Sequence, residues 1–168
     1  MNRNEFIKAS VAGTAGIFIA SKAAFSNIKT DPEPFTIEMV KEFVIAGHGD
    51  LDKVKQMLAE HPNLIYSRFD WGNGDFEEAI EGAGHVGNKP IANYLIEQGA
   101  RVNLFVLTML GQTQLVKQVL EKYPNLVFAN GPHGFSLLHH ATAGGDDSRE
   151  LADYLQEKGL TVDWVKIK

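Results

Sequence analysis

The residues of this chain that could do chemistry are six histidines, a pair of glutamates and two glycine-rich loops carrying aromatics. His48, His61 and His85 are scattered over loops and helix ends, whereas His133, His139 and His140 lie close together. Three imidazoles could hold zinc, but His139 and His140, adjacent on a helix, diverge by about 100°, so a three-histidine site would arise only by accident of folding. No metal and no cofactor are expected on this reading. Glu78 and Glu81 share a helical face at i, i+3, as an acid–base pair would, and a solvated face accounts for them equally well. The loops read Arg68-Phe69-Asp70-Trp71-Gly72-Asn73-Gly74-Asp75-Phe76 and Asn130-Gly131-Pro132-His133-Gly134-Phe135. Large aromatics on such loops are unusual unless they pack or bind. Asp70, Asn73 and Asp75 alternate oxygen donors through a glycine turn, as in a calcium loop. The glutamate that would close such a site is not at its spacing, and an Asn/Asp/Gly turn is the simpler reading. No nucleophile motif, phosphate loop or dinucleotide fingerprint is found, so no catalytic residue is assigned.

The elements that must position these residues are bounded by composition. With 168 residues, 44% of them apolar, the chain suits one soluble domain with a real core. It carries 21 acidic against 16 basic side chains and no basic block, which argues against nucleic acid as a partner. The absence of cysteine excludes disulfides, thiolate zinc sites and a cysteine nucleophile. Residues 9–20 form a charge-free run flanked by Arg3, Lys8 and Lys22. About twelve residues are too short to span a bilayer and fit the apolar region of an export signal, with Ala24-Phe25-Ser26 as a cleavage site. Residues 1–26 are therefore read as a signal peptide, 27–36 as a proline-bearing linker and 37–168 as the folded domain. Loss of the signal leaves 13 basic and 20 acidic residues, a formal charge of −7.

The folded part repeats itself. Gly49, Val54, Lys55, Gln56, Leu58 and Pro62-Asn63-Leu64 recur 62 residues later as Gly111, Val116, Lys117, Gln118, Leu120 and Pro124-Asn125-Leu126. Ala92, Tyr94, Leu95, Glu97, Gly99 and Val102 recur 60 residues later, from Ala152 to Val162. Apolar residues at i, i+3, i+4 precede each recurring leucine and make one apolar face per helix. The spacing predicts four helix–turn–helix units, each dependent on its neighbours. Gly49, Gly87, Gly111 and Gly144-Gly145 mark the turns within the units.

Ser136-Leu137-Leu138-His139-His140-Ala141-Thr142-Ala143-Gly144-Gly145 resembles the ankyrin-repeat box Thr-Pro-Leu-His-x-Ala-Ala-x-x-Gly, and Gln98-Gly99-Ala100-Arg101-Val102-Asn103 resembles that repeat's ending. Residues 78–87 fall in the same register, so the resemblance covers roughly residues 38–163. It implies an all-α, ankyrin-type solenoid of about four repeats, with His139 making a hydrogen bond between repeats. Leu95 and Leu120 are only 25 residues apart, where the repeat gives about 33; one inter-repeat hairpin is expected to be missing there. Val40, Phe43 and Val44 are expected to cap one end, with Trp164 and Val165 closing the other. The opening Asn2-Arg3-Asn4-Glu5-Phe6-Ile7-Lys8 resembles the twin-arginine export motif, with Asn4 in place of its second arginine.

Ankyrin-type proteins bind protein partners through loop tips and inner helices. The resemblance therefore implies Phe69, Trp71, Asp75, Phe76, His133 and Phe135 as contacts for a protein partner. The expected function is a non-catalytic binding scaffold, exported to the periplasm, monomeric and without stable membrane insertion. Alternatives are a companion or inhibitor of an exported enzyme, or a metal-dependent enzyme using the concave groove.

Overall fold

The computed structural model describes residues 32–167, so the segment read as an export signal and the first half of the linker lie outside the described residues. The chain is mainly helical. Helix α1 (Ile37–Gly49) begins where the Thr36 hydroxyl accepts from the Met39 amide, and α2 (Leu51–Glu60) where Asp50 accepts from Lys53. The next pairs are α3 (Ala79–His85) with α4 (Lys89–Glu97), α5 (Leu104–Met109) with α6 (Thr113–Lys122), and α7 (Leu137–Gly144) with α8 (Arg149–Glu157). Asn88, Asn103 and Ser136 cap α4, α5 and α7 by the same side-chain-to-amide bond, each satisfying a donor that the first turn leaves free.

Helices α1, α3, α5 and α7 pack in series, and each is backed by the helix that follows it. The apolar stripes read from the sequence face inward. Phe43, Val54, Ile80, Ile91, Leu95 and Met109 fill one cluster; Val116, Leu120, Leu137, Leu151 and Leu155 fill the next. Each such side chain contributes about 1.5–3 kcal/mol on burial. Helices α1 and α3 approach unusually closely. A Cβ on Gly47 would stand 2.3 Å from the Ala79 carbonyl oxygen, and one on Gly82 would stand 2.7 Å from Cε1 of His48. Side-chain-free positions on both helices thus let the His48 ring pack directly against Gly82 of α3.

Two segments project beyond the helices. The first is a hairpin of β1 (Phe69–Asp70) and β2 (Phe76–Glu77), antiparallel with Phe69 opposite Glu77. Its turn is an Asx turn, the Asp70 carboxylate accepting from the Gly72 amide. The second segment is a loop closed by the Asn130–Ser136 bridge around a short turn at Pro132–Gly134. Between α4 and α5 residues 98–103 make only a turn, and Asn103 caps α5 directly. With no hairpin between them, the two projecting segments meet: the His133 amide donates to Asp75 Oδ1 at 2.8 Å.

Two details depart from the sequence reading. Gly49 completes α1 without left-handed backbone, whereas Gly87 and Gly111 take φ of 74° and 69°. Glu78 and Glu81 do not form a solvated face. Both are buried, and Glu81 caps α3 by accepting from the Glu78 amide at 2.7 Å while Asn103 Nδ2 donates to it at 2.7 Å.

Candidate metal centre

Four side chains from four separate elements converge between the projecting segments: His48 at the end of α1, Glu77 on β2, His85 at the end of α3 and His133 in the second loop. Each offers one ligand atom, and all four atoms lie within 4.8 Å of one another. His85 Nε2 stands 2.8 Å from Glu77 Oε1 and 3.0 Å from His48 Nε2. His48 Nε2 lies 3.4 Å from Glu77 Oε1, and His133 Nε2 lies 3.4 Å from Glu77 Oε2.

The remaining ring nitrogens of two of these histidines are spoken for. His48 Nδ1 faces the Val44 carbonyl at 3.0 Å and His133 Nδ1 faces Asp75 Oδ2 at 2.8 Å. A carbonyl or carboxylate can only accept, so both Nδ1 atoms carry hydrogen and both Nε2 atoms present lone pairs when neutral. This is the outer-shell pattern that orients imidazole ligands toward a metal. The His85 carbonyl accepts from His139 Nε2 at 2.8 Å, a bond from α7 to α3 of the kind that the ankyrin resemblance implies for His139.

The electrostatics favour positive charge around Glu77. The Glu77 side chain is 0% exposed, and burial alone would raise its pKa; hydrogen bonds and charge from His48 and His85 outweigh this and hold it at about 2. Trp71 Nε1 donates to its other oxygen at 2.8 Å. His48 is shifted up chiefly by its hydrogen bond to Glu77, burial opposing. With the rings neutral, an N–H on His85 Nε2 can donate to Glu77 Oε1 or toward the His48 lone pair, and a metal ion bound here would take the place of that hydrogen. Zinc–nitrogen bonds of about 2.0–2.1 Å in tetrahedral geometry put neighbouring ligand atoms roughly 3.3 Å apart, close to the short separations above. The widest pair would close by about an ångström and a half on the same geometry.

Aromatic rings wall the centre. Phe135 stacks on His139 at 4.0 Å and on His85 at 5.1 Å, and Phe69 packs edge-on against Trp71 at 4.8 Å. Of the six residues expected to touch a partner, Asp75 and His133 pair with each other, Trp71 bonds to Glu77, and Phe69 and Phe135 pack around them. Phe76 alone of the six turns away; it is 48% exposed. His48, Glu77 and His85 were not singled out from the sequence as site residues. For the two histidines a local signal exists: His48 and His85 each stand in the last turn of an inner helix, and Gly82 leaves space opposite His48.

Deeper in α7, His140 is fully buried; burial lowers its pKa to about 4, despite the hydrogen bond of Nδ1 to the Ser136 carbonyl. Its Nε2 has no hydrogen-bond partner among the described residues. Among the described residues no helix is long and apolar enough to cross a membrane. No protein-family model matches the chain, and no curated protein matches it significantly.

Proposed function

We propose that this protein is an ankyrin-type repeat scaffold that holds one divalent first-row transition-metal ion between its projecting segments. The observation that carries this reading is the convergence of His48, His85 and His133 Nε2 on buried Glu77, with two of the rings oriented by a carbonyl and a carboxylate. Three imidazoles and one carboxylate, without thiolate, suit zinc, copper(II), nickel or iron rather than copper(I) or calcium. Four protein ligands fill a tetrahedral shell, the pattern of a structural ion rather than a catalytic one with an open position. The repeat reading is supported by the serial packing of α1, α3, α5 and α7 and by the His139 bond between α7 and α3.

Equilibrium dialysis of metal-free protein against zinc tests the reading. One ion per chain is expected, with affinity reduced at least a hundredfold by His85→Ala. Stoichiometry near zero, or binding that His85→Ala does not change, would overturn it.

A second reading, partner binding by the hairpin, is favoured by Phe76. It flanks a cleft of about 330 Å³ lined also by Phe35, Ile37 and Val40. Phe76→Ala would weaken partner capture while leaving the metal centre untouched. Export is proposed on the N-terminal signal, and fractionation of cells making the full chain tests it.

A further inference from the structure

His133 is the one ligand of the centre that lies on neither helix nor strand of the inner row. The turn that carries it is unusual in backbone terms. His133 itself takes φ of 59° and Gly134 takes 80°, both left-handed, and only the second is a glycine. A non-glycine residue in that region costs on the order of 1 kcal/mol and persists where its surroundings hold it. Two sets of contacts do so. On one side, Asp75 accepts from both the backbone amide and Nδ1 of His133. On the other lies the C-terminal segment Thr161-Val162-Asp163-Trp164-Val165.

From Val162 to Val165 each successive residue of that segment is bonded to the loop. Ser136 Oγ donates to the Val162 carbonyl at 2.7 Å, and the Ser136 amide to the Asp163 carbonyl at 2.9 Å. Trp164 Nε1 donates to the carbonyl of His133 at 2.6 Å, and the Val165 amide to the carbonyl of Gly134 at 2.9 Å. Trp164 also forms an isolated antiparallel bridge with Phe135, the ring that stacks on His85. The fit leaves no slack: a Cβ on Gly134 would stand 1.8 Å from the Val165 carbonyl oxygen. Trp164 is 54% exposed, so its indole adds little to the core, and its polar contact is to the carbonyl of the ligand residue.

We infer that residues 163–165 are a clasp that positions His133, so that docking of this C-terminal segment and occupancy of the metal centre are thermodynamically coupled. The inference rests on the metal reading above. Trp164 and Val165 are positioning residues: they touch no ligand atom and act through the backbone of the loop. Coupling of this kind is reciprocal. If the docked segment favours the ion by some factor, the ion favours the docked segment by the same factor. The C-terminal segment is then the part of the molecule that reports whether the centre is filled.

The test uses the full chain, a Trp164→Phe variant and a chain ended after Asp163, each freed of metal and titrated with zinc against a chromophoric chelator. Exchange of the Val165 amide is followed with and without zinc. Removing residues after Asp163 is expected to weaken zinc binding roughly 10- to 100-fold, the range seen when groups that orient ligands are lost. Trp164→Phe, which removes one N–H, is expected to weaken it severalfold with unchanged helicity. Zinc should slow Val165 exchange in the full chain and fail to do so in His85→Ala, a readout that a purely structural role for the tail would not move. Equal zinc affinity in all three chains, or Val165 exchange indifferent to zinc in a chain that binds it, overturns the clasp and leaves the metal reading intact. Failure of the full chain to bind zinc overturns both.

Discussion

Replacing Glu77 with glutamine separates the charge of the centre from its shape. In the metal-free protein the carboxylate is held at about 2 instead of its ordinary 4.5, a difference on the order of 3 kcal/mol. Because the folded-state value is depressed, this contribution is complete above pH 4.5 and is lost as pH falls through 2. The His48 partner is shifted the other way. Its contribution is complete below pH 6.5 and is lost as pH rises through the raised folded-state value. The two are one interaction seen from both ends, so the pair stabilises the fold most between pH 4.5 and 6.5. Urea unfolding in the presence of a chelator is the assay. At pH 5.5 Glu77→Gln is expected to be less stable than the natural chain by about 2–3 kcal/mol. At a pH above the raised His48 value, where that ring is neutral and the buried carboxylate loses its counter-charge, the difference should shrink below about 1 kcal/mol or change sign. An equal difference at both pH values would refute the ion-pair account of the apo centre.

Three further outcomes follow from the same geometry. His140, held neutral with a pKa of about 4, binds a proton more readily unfolded; its contribution is complete above pH 6.5 and is lost as pH falls through 4. His140→Asn should therefore flatten the acid limb of the stability curve by up to about 3 kcal/mol, measured as the change in unfolding free energy between pH 7 and pH 4. Gly82→Ala improves helix propensity by about 1 kcal/mol yet drives a Cβ into the His48 ring; zinc affinity should fall at least tenfold while helicity by circular dichroism is retained. Asp75→Asn weakens the acceptor on His133 Nδ1 and should reduce zinc affinity roughly 10- to 100-fold by calorimetric titration, with the Asp70–Gly72 turn intact.

The architecture was far more legible in the sequence than the site. Leucines at Leu58, Leu95, Leu120 and Leu155 mark the helix pairs because a helix face repeats every 3.6 residues, and such a signal needs no tertiary knowledge. The short interval from Leu95 to Leu120 showed where a hairpin is absent. What that absence brings together, Asp75 on His133, depends on how far two loops reach and has no periodicity to read. Trp71, Asp75, His133 and Phe135 stood out because aromatic and charged residues on glycine-rich loops are conspicuous, although their role as partner contacts was inferred from a resemblance. His48, Glu77 and His85 carry no motif. His48 and His85 are 37 residues apart, and they meet because Gly47 and Gly82 let two helices close to backbone contact. Glu77 sits beside Glu78 and Glu81, and its burial is set by the pleat of β2, which turns Phe76 outward and Glu77 inward.

An anomalous-difference map from crystals of the zinc-loaded protein, collected at the zinc edge, tests the metal centre most directly. The account predicts one peak per chain, about 2.0–2.2 Å from His48 Nε2, His85 Nε2, His133 Nε2 and a Glu77 carboxylate oxygen. A map with no peak there, or with zinc held only by surface groups elsewhere, would contradict it.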